Sequence, residues 1–243
     1  MRDDRSRIEQ VCDDVEEAIA GADLVLLAMP TGVMADVVST IGESGFEAGT
    51  LVTDVGSVKG SVMLEVAPLV ENKGGHFLGS HPMAGSEKAG LEFAEATLFE
   101  KAPVIVTPPE GEDQDSENML RLARFWETLG GVVSVCSAPE HDRIVASISH
   151  LPHLVAAALV RTVLKDDSGV AAFSGGGFRD TTRVAGGLEE MWSGILSDNQ
   201  GAVSEKLGEL IAELESWKEA LDGLDRDQLR AFLSEARALR ESL

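Results

Sequence analysis

Hydrophobic residues in the first part of the chain form short runs that alternate with segments of helical periodicity. The runs occupy residues 24–28, 51–55, 76–80, 103–107 and 132–136. Runs of this length are typical of buried strands. The segments between them place apolar residues on one helical face: Val33, Val37 and Ile41 in one, and Met119, Leu122, Trp126 and Leu129 in another. The alternation predicts an α/β fold with a mostly parallel sheet, whose ligands bind beyond the carboxyl ends of the strands.

The pattern changes after residue 137, where the strand-like runs stop. Residues 140–164 read as a long apolar helix interrupted by Pro152, and a glycine-rich connector follows at residues 174–187. Two further helical segments run over about 188–221 and 225–242. We therefore expect one domain over residues 1–137 and an all-helical domain over 138–243. The first helix is apolar nearly all round, so we expect it to be buried, and a second subunit is one way to bury it.

The charge balance narrows the possible partners. The 243 residues include 42 acidic and 20 basic side chains, a formal net charge of −22. Such a chain repels nucleic acid, whose binding needs a positive surface. The acidic surface fits either ordinary solubility or adaptation to high salt.

Cysteine content and hydropathy indicate the compartment. Cys12 and Cys136 are too few for a disulfide framework. No uninterrupted apolar run approaches the ~18 residues that span a bilayer, and the charged first residues do not resemble a signal peptide. We expect a cytoplasmic protein without a membrane partner.

Two strand ends carry candidate chemistry. The first reads TDVGSVKG, residues 53–60, where Gly56 permits a tight turn after Asp54. Ser57 either caps a helix that begins near Val58 or presents its hydroxyl at the ligand edge of the sheet. After the next run, His81 precedes Pro82, which favours an extended backbone at the histidine. Histidine titrates near neutrality, so His81 is a candidate proton acceptor.

The helical part adds two polar clusters. His150 and His153 are three residues apart and share a helix face, but no third ligand lies at a suitable spacing for a metal. We expect these histidines to line a pocket and no metal to be bound. Arg179, Asp180 and Arg183 lie among glycines, where the arginines could bind a carboxylate or form surface ion pairs. The sequence leaves both readings open.

In this order, the motifs resemble the prephenate/arogenate dehydrogenase family of tyrosine biosynthesis. The matching segments are DVGSVKG, GSHPMAGSEKAG, LF before VIVTP, SHLPH, and GGGFRDTTRVA followed by MW. The resemblance covers residues 22–199. It implies a Rossmann-like dinucleotide-binding domain, a helical domain that forms a homodimer, and oxidative decarboxylation of prephenate or arogenate with NAD, NADP not being excluded.

The resemblance also implies roles for individual residues. His81 and Ser57 would contact the hydroxyl at ring C4, and Arg183 would bind a substrate carboxylate. The other substrate-binding residues would be His153, Gly176, Asp180, Trp192, Ser86 and Glu87. The cofactor-binding residues would be Met29, Pro30, Thr31, Asp54 and Gly56.

One departure from the family pattern concerns its first βαβ unit. The family begins with a strand, G-x-G-x-x-G and a helix, whereas no such glycine motif follows any strand-like run here. Three explanations remain: a truncated chain, which we favour, a separate segment that completes the fold, or a non-catalytic dimeric remnant that binds or regulates in the same pathway. Since the turn formed by G-x-G-x-x-G holds the pyrophosphate, we expect weak NAD binding and doubtful activity for this chain.

Overall fold

A computed structural model describes residues 10–85 and 90–242, which form two compact units, one ending at Asn199 and one beginning at Gln200. The described strands all lie in the first unit: β1 (Leu24–Leu27), β2 (Leu51–Asp54), β3 (His76–Phe77), β4 (Gly79–Pro82), β5 (Pro103–Thr107) and β6 (Val132–Val135). Its helices are α1 (Val15–Ile19), α2 (Thr31–Thr40), α3 (Gly60–Glu65), α4 (Ala67–Asn72), α5 (Glu117–Thr128), α6 (Ala138–Val145), α7 (Leu151–Leu164), α8 (Gly176–Thr182) and α9 (Glu189–Asp198). The second unit contains α10 (Gln200–Asp222) and α11 (Arg226–Arg240).

The strands form two three-stranded sheets. Strands β1, β2 and β3 are parallel, whereas β5 pairs antiparallel with β4 and parallel with β6. The α/β prediction is confirmed. The run at 76–80 is divided, because the Leu78 N–H still bonds to Val52 of β2 while Gly79 begins the pairing with β5. His81 therefore lies inside β4, opposite Ile105, and not beyond a strand as the sequence suggested.

Two hydrophobic cores lie in the α/β part. One packs α2, α3 and α4 against β1, β2 and β3, and the other packs α5 against β5 and Leu51. In α5, Met119, Leu122 and Trp126 are buried as predicted.

Two details of the predicted helical faces were wrong. Within α2 the buried face is shifted by one residue, since Met34 and Val38 are fully buried while Val33 is 44% exposed, although Ile41 is buried as predicted. Leu129 is also exposed, because α5 ends at Thr128 and Leu129 is its C-cap.

The long helix around Pro152 is continuous. A π-helical turn, Ala146–His150, joins α6 to α7 just before Pro152. A proline in a regular α-helix clashes with the carbonyl four residues earlier, and a locally widened turn relieves that clash. The combined helix Ala138–Leu164 is long and apolar enough to cross a membrane by length and composition. An 18-residue window within it has a mean hydropathy of 1.5, and 28% of that window is buried.

The glycine-rich segment predicted as a connector is mostly helical. Gly175 is the N-cap of α8, and a 3₁₀ turn, Arg183–Gly186, follows directly. Further on, the segment predicted as one helix from residue 188 is divided at Asn199, the C-cap of α9. The second unit is a helical pair in which the rings of Trp217 and Phe232 lie 5.1 Å apart.

Candidate active site

The loop that follows β2 is held in place by a carboxylate from α6. Helix α3 begins at Gly60, so Ser57 is not its cap, contrary to the simpler reading of the sequence. Instead the backbone amides of Lys59 and Gly60 donate to the two carboxylate oxygens of Asp142, each at 2.8 Å. Ser57 is half-buried, in the segment between Gly56 and these anchored amides.

Asp54 and Lys59 close the base of the same loop. Both side chains are fully buried and form an ion pair. Burial lowers the pKa of Lys59, against the opposing attraction of Asp54. The Asp54 carboxylate also accepts the N–H groups of Gly56 (2.8 Å) and Ser80 (3.2 Å). These partners are all protein groups, and the cofactor-binding role of Asp54 stays a prediction.

His81 is the first member of a hydrogen-bonded chain of side chains. Its Nδ1 lies 2.8 Å from Nε2 of His141, and Nδ1 of His141 lies 2.8 Å from Oδ1 of Asp142. His81 is 8% exposed and His141 is fully buried. Burial, with the nearby Lys59, His141 and His150, lowers the pKa of His81 to about 2, so its ring is neutral.

Asp142 remains a carboxylate in this arrangement. Burial alone would raise its pKa, but the hydrogen bonds from His141 and from the amides of Lys59 and Gly60 outweigh burial, and its pKa is lowered. A negative charge is therefore kept two hydrogen bonds away from His81.

A cavity of about 450 Å³ opens beside His81. Its wall includes five of the residues proposed from the sequence, Ser57, His81, His150, Arg183 and Trp192, whereas His153 does not line it. The remaining wall residues are Met83, Ala84, Gly85, Ser149, Val184, Gly187, Leu188, Met191 and Ile195. One concave site thus combines a neutral imidazole, a hydroxyl, a guanidinium and aromatic surface, which suits a small anionic ring compound.

The two histidines of α7 and the preceding π turn both contact Trp192. The His153 ring is stacked on the indole at 3.5 Å, and the His150 ring meets it edge-on at 6.1 Å. The Nδ1 atom of His150 lies 3.1 Å from the Asn199 amide nitrogen, which also donates to the Asp142 carbonyl. Burial is the main cause that lowers the pKa of His150 to about 4, and burial also lowers that of His153.

Arg183 lines the cavity, but the neighbouring residues of α8 do not. Gly176 and Asp180 are exposed on α8 and do not line the cavity. The backbone carbonyl of Asp180 accepts the Arg183 N–H and so helps to fix the start of the 3₁₀ turn. Arg179 is exposed and its Nε lies 3.3 Å from the Ser174 hydroxyl. The predictions at Ser86 and Glu87 lie outside the described residues.

The remaining cofactor candidates lie at the carboxyl ends of β1 and β2. Pro30 is the N-cap of α2, and within the described residues no side chain caps that helix. A Cβ at Gly56 would come within 2.6 Å of the Thr31 side chain, so the two strand ends approach closely. Open helix amides next to a close backbone approach fit the binding of a nucleotide. Met29, Pro30, Thr31 and Gly56 would then hold it.

Besides several cavity-wall residues, sequence reasoning missed His141, Asp142, Gly187 and Asn199. A signal existed for His141, because it lies four residues before the buried Val145 and so on the buried face of α6. A buried polar side chain needs a partner. The described residues contain no group of three or more His, Cys, Asp or Glu side chains that could hold a metal, and both cysteines are free.

Comparisons with known proteins agree with this arrangement. Residues 3–135 match the nucleotide-binding domain of prephenate dehydrogenase, and residues 137–235 match the dimerization domain of the same family. The chain is 34% identical over 240 residues to the cyclohexadienyl dehydrogenase of Zymomonas mobilis, covering 97% of this chain and 80% of that protein. It is 32% identical to the prephenate dehydrogenase of Bacillus subtilis, covering 97% of this chain and 64% of that one.

A solved structure has the same fold. The crystal structure of prephenate dehydrogenase from A. aeolicus, in complex with hydroxyphenyl propionate and NAD+, superimposes with a TM-score of 0.80 at 31% identity. The match covers 90% of this chain and 76% of that one. The family models cover nearly the whole chain, and the chain belongs to the prephenate dehydrogenase family.

Proposed function

We propose that this protein is a prephenate dehydrogenase-type oxidoreductase, which converts prephenate to 4-hydroxyphenylpyruvate and carbon dioxide with NAD as the hydride acceptor. The observation that carries the proposal is the cavity in which neutral His81, Ser57 and Arg183 meet. The reaction needs those three functions in one place: a proton acceptor at the ring hydroxyl, a second polar group beside it, and a cation for a carboxylate.

His81 is the proposed proton acceptor. A neutral ring has one lone pair to offer, and burial with Lys59 nearby keeps His81 neutral at rest. The proton of the C4 hydroxyl passes to His81 as the C4 oxygen becomes a carbonyl. The same proton returns to that oxygen when loss of carbon dioxide makes the ring aromatic. A dianionic substrate raises the pKa of the adjacent histidine, since opposite charge favours the imidazolium.

Arg183 is the proposed carboxylate anchor. A protein with a net charge of −22 repels a dianion at long range, so the site needs a local cation. Arg183 lines the cavity, and its planar guanidinium can form two parallel hydrogen bonds to one carboxylate. Trp192, which lines the cavity and is stacked on His153, supplies flat surface that supports the binding of a ring.

NAD supplies the hydride acceptor when bound. The chain's own contribution is the edge formed by Met29, Pro30, Thr31 and Gly56, which would hold the nucleotide beside the cavity. A cytoplasmic location is part of the proposal. The cytoplasm supplies NAD for biosynthesis and keeps thiols reduced, and both cysteines are free.

The protein is proposed to act as a homodimer. Ile148 and Phe173, in the part that matches the dimerization domain, are 62% and 90% exposed. Apolar side chains so exposed are better covered by a second copy. Light scattering of the wild type should give twice the chain mass, and the Ile148→Asp, Phe173→Ser double variant should give more monomer. A monomeric wild type would refute this part of the proposal.

The decisive experiment follows NADH formation with prephenate and, separately, with arogenate. With NAD in large excess, to offset the weak binding expected without the glycine motif, we expect turnover with prephenate and release of carbon dioxide in equal amount. We also expect a hundredfold or greater loss of kcat in His81→Asn, the usual scale for a lost acid–base group. Turnover with arogenate alone would assign the amino analogue as substrate. No turnover with either compound, in protein that binds NAD, would refute the proposed function.

A further inference from the structure

Helix α6 contributes two polar residues to the neighbourhood of His81. His141 is fully buried, and Asp142 lies next to it in the sequence. The side chains connect in series, from His81 to His141 to Asp142, by two contacts of 2.8 Å. Neither residue lines the cavity. Their effect on a reaction there must therefore pass through residues that do line it, and His81 is the one in direct contact with His141.

The end of the series fixes the direction of its hydrogen bonds. The Asp142 carboxylate can only accept, so Nδ1 of His141 carries a hydrogen and donates it. We assign His141 a single hydrogen, on Nδ1, which leaves its Nε2 as an acceptor. Nδ1 of His81 then donates to that nitrogen, and Nε2 of His81 keeps a lone pair.

The anchor of the series is itself rigid. Asp142 accepts the amides of Lys59 and Gly60, and its backbone carbonyl accepts the Asn199 amide. The carboxylate itself accepts three hydrogen bonds, from the two amides and from His141, and it cannot turn without losing them. The same two amides anchor the loop that carries Ser57. One carboxylate therefore sets both the tautomer of His81 and the position of Ser57.

We propose that His141 and Asp142 are positioning residues, which hold His81 as the Nδ1–H tautomer with a lone pair on Nε2 and stabilise the imidazolium formed when His81 accepts the substrate proton. This inference rests on the proposed function for its kinetic consequences, but not for the tautomer. A residue that fixes a catalytic tautomer in this way contributes about 10²- to 10⁴-fold to kcat in other enzymes.

Two substitutions at residue 141 separate this role from simple packing. Glutamine can place its amide oxygen where Nε2 of His141 lies, and so can still accept the His81 hydrogen. Asparagine is shorter, and places its amide where Nδ1 of His141 lies, so it can donate to Asp142 but leaves His81 without a partner. We expect kcat of His141→Gln to exceed that of His141→Asn by about tenfold or more, with KM in both within about threefold of wild type. Asp142→Asn should lose at least a hundredfold in kcat, and Glu140→Gln, a neighbouring exposed carboxylate on the same helix, should behave as wild type.

The tautomer is measured without any turnover. The chain has five histidines, so ¹⁵N-labelled imidazole signals can be assigned by substitution. We expect His81 to show a protonated Nδ1 and an unprotonated Nε2 in the wild type and in His141→Gln. A His81 protonated on Nε2 in the wild type would overturn the proposal, as would equal kcat in the two residue-141 variants. A chain without dehydrogenase activity but with the expected tautomer would refute the proposed function and leave this arrangement standing.

Discussion

Acidification should destabilise the fold through His81, and the effect can be isolated. The pKa of this histidine is lowered from 6.5 to about 2 by burial and by Lys59, His141 and His150. As the pH falls below 6.5, the unfolded chain takes up a proton at this position while the folded protein does not. Stability contributed by the neutral ring is thus complete above pH 6.5 and is lost progressively down to about pH 2.

The size of the lost stability follows from the interval between the pKa of His81 in the unfolded chain and its pKa in the folded protein. Each pH unit between the two pKa values changes the free energy of unfolding by about 1.4 kcal/mol for one group. Between pH 7.5 and pH 4.5, His81 alone should account for roughly 2–3 kcal/mol of lost stability. Carboxylates also begin to titrate over this range in so acidic a protein, so the wild-type curve by itself would not identify the histidine.

A matched variant removes that ambiguity. In His81→Asn, the amide nitrogen can replace Nδ1 as the donor to His141 but cannot titrate. Since His81 is neutral in the folded protein over this range, its removal leaves the charges around its neighbours unchanged. Urea unfolding, followed by the fluorescence of the three tryptophans, of which Trp126 is fully buried, should give a pH dependence about 2–3 kcal/mol smaller in the variant. Thr128→Ala, an exposed change without a titrating group, should keep the wild-type dependence. Parallel curves for wild type and His81→Asn would refute the reasoning.

Three further changes test other parts of the site. Arg183→Ala should raise KM about 30- to 1000-fold, with Arg183→Lys intermediate, while alanine at exposed Arg179 should change KM less than about threefold; steady-state kinetics that reversed the two arginines would exclude Arg183 as the anchor. Gly187→Ala should place a Cβ 2.8 Å from a carbon of the Trp192 indole and so lower the free energy of unfolding in urea by about 1–3 kcal/mol. An unchanged stability would show that the stacked Trp192 and His153 rings can move aside at no cost. Lys59→Met should lower the free energy of unfolding by about 3–5 kcal/mol, because the buried Asp54 loses its partner. Adding Asp54→Asn should recover part of that loss, and no recovery would contradict the ion-pair explanation.

The strands were predictable from the sequence because each run is short and apolar, but β6 is mostly exposed and not buried as predicted. The face of α2 that is buried was not predictable, since Val33 and Met34 are both apolar and either can begin a stripe of helical spacing. Only the packing of the helix against β1 and β2 decides that Met34 faces the core. The prediction of a single strand over 76–80 was wrong for a similar reason. The change of pairing partner from β2 to β5 after Leu78 does not alter the hydrophobic pattern of the sequence.

The cavity residues were predicted unequally. Ser57, His81, Arg183 and Trp192 follow from recognisable motifs and all line the cavity. His141 and Asp142 lie 60 or more residues from His81, in a segment that reads as an ordinary amphipathic helix. A hydrogen-bonded chain over such separations depends on where α6 packs, and no local pattern encodes it. Gly187 was missed because its role is to leave room for an indole that only the folded chain places there.

The neutral histidines are a physical puzzle in a chain with a net charge of −22, because abundant carboxylates should favour protonated imidazoles. The contacts of Asp54 and Asp142 resolve it. Asp54 is paired with the buried ammonium of Lys59, whose positive charge acts on His81. Asp142 is held by two backbone amides and by His141, so its charge is shared among donors and reaches His81 only through the His141 ring. A proton acceptor can therefore stay unprotonated inside a strongly acidic protein, because it is buried and because the carboxylates of the site are already hydrogen-bonded to other groups.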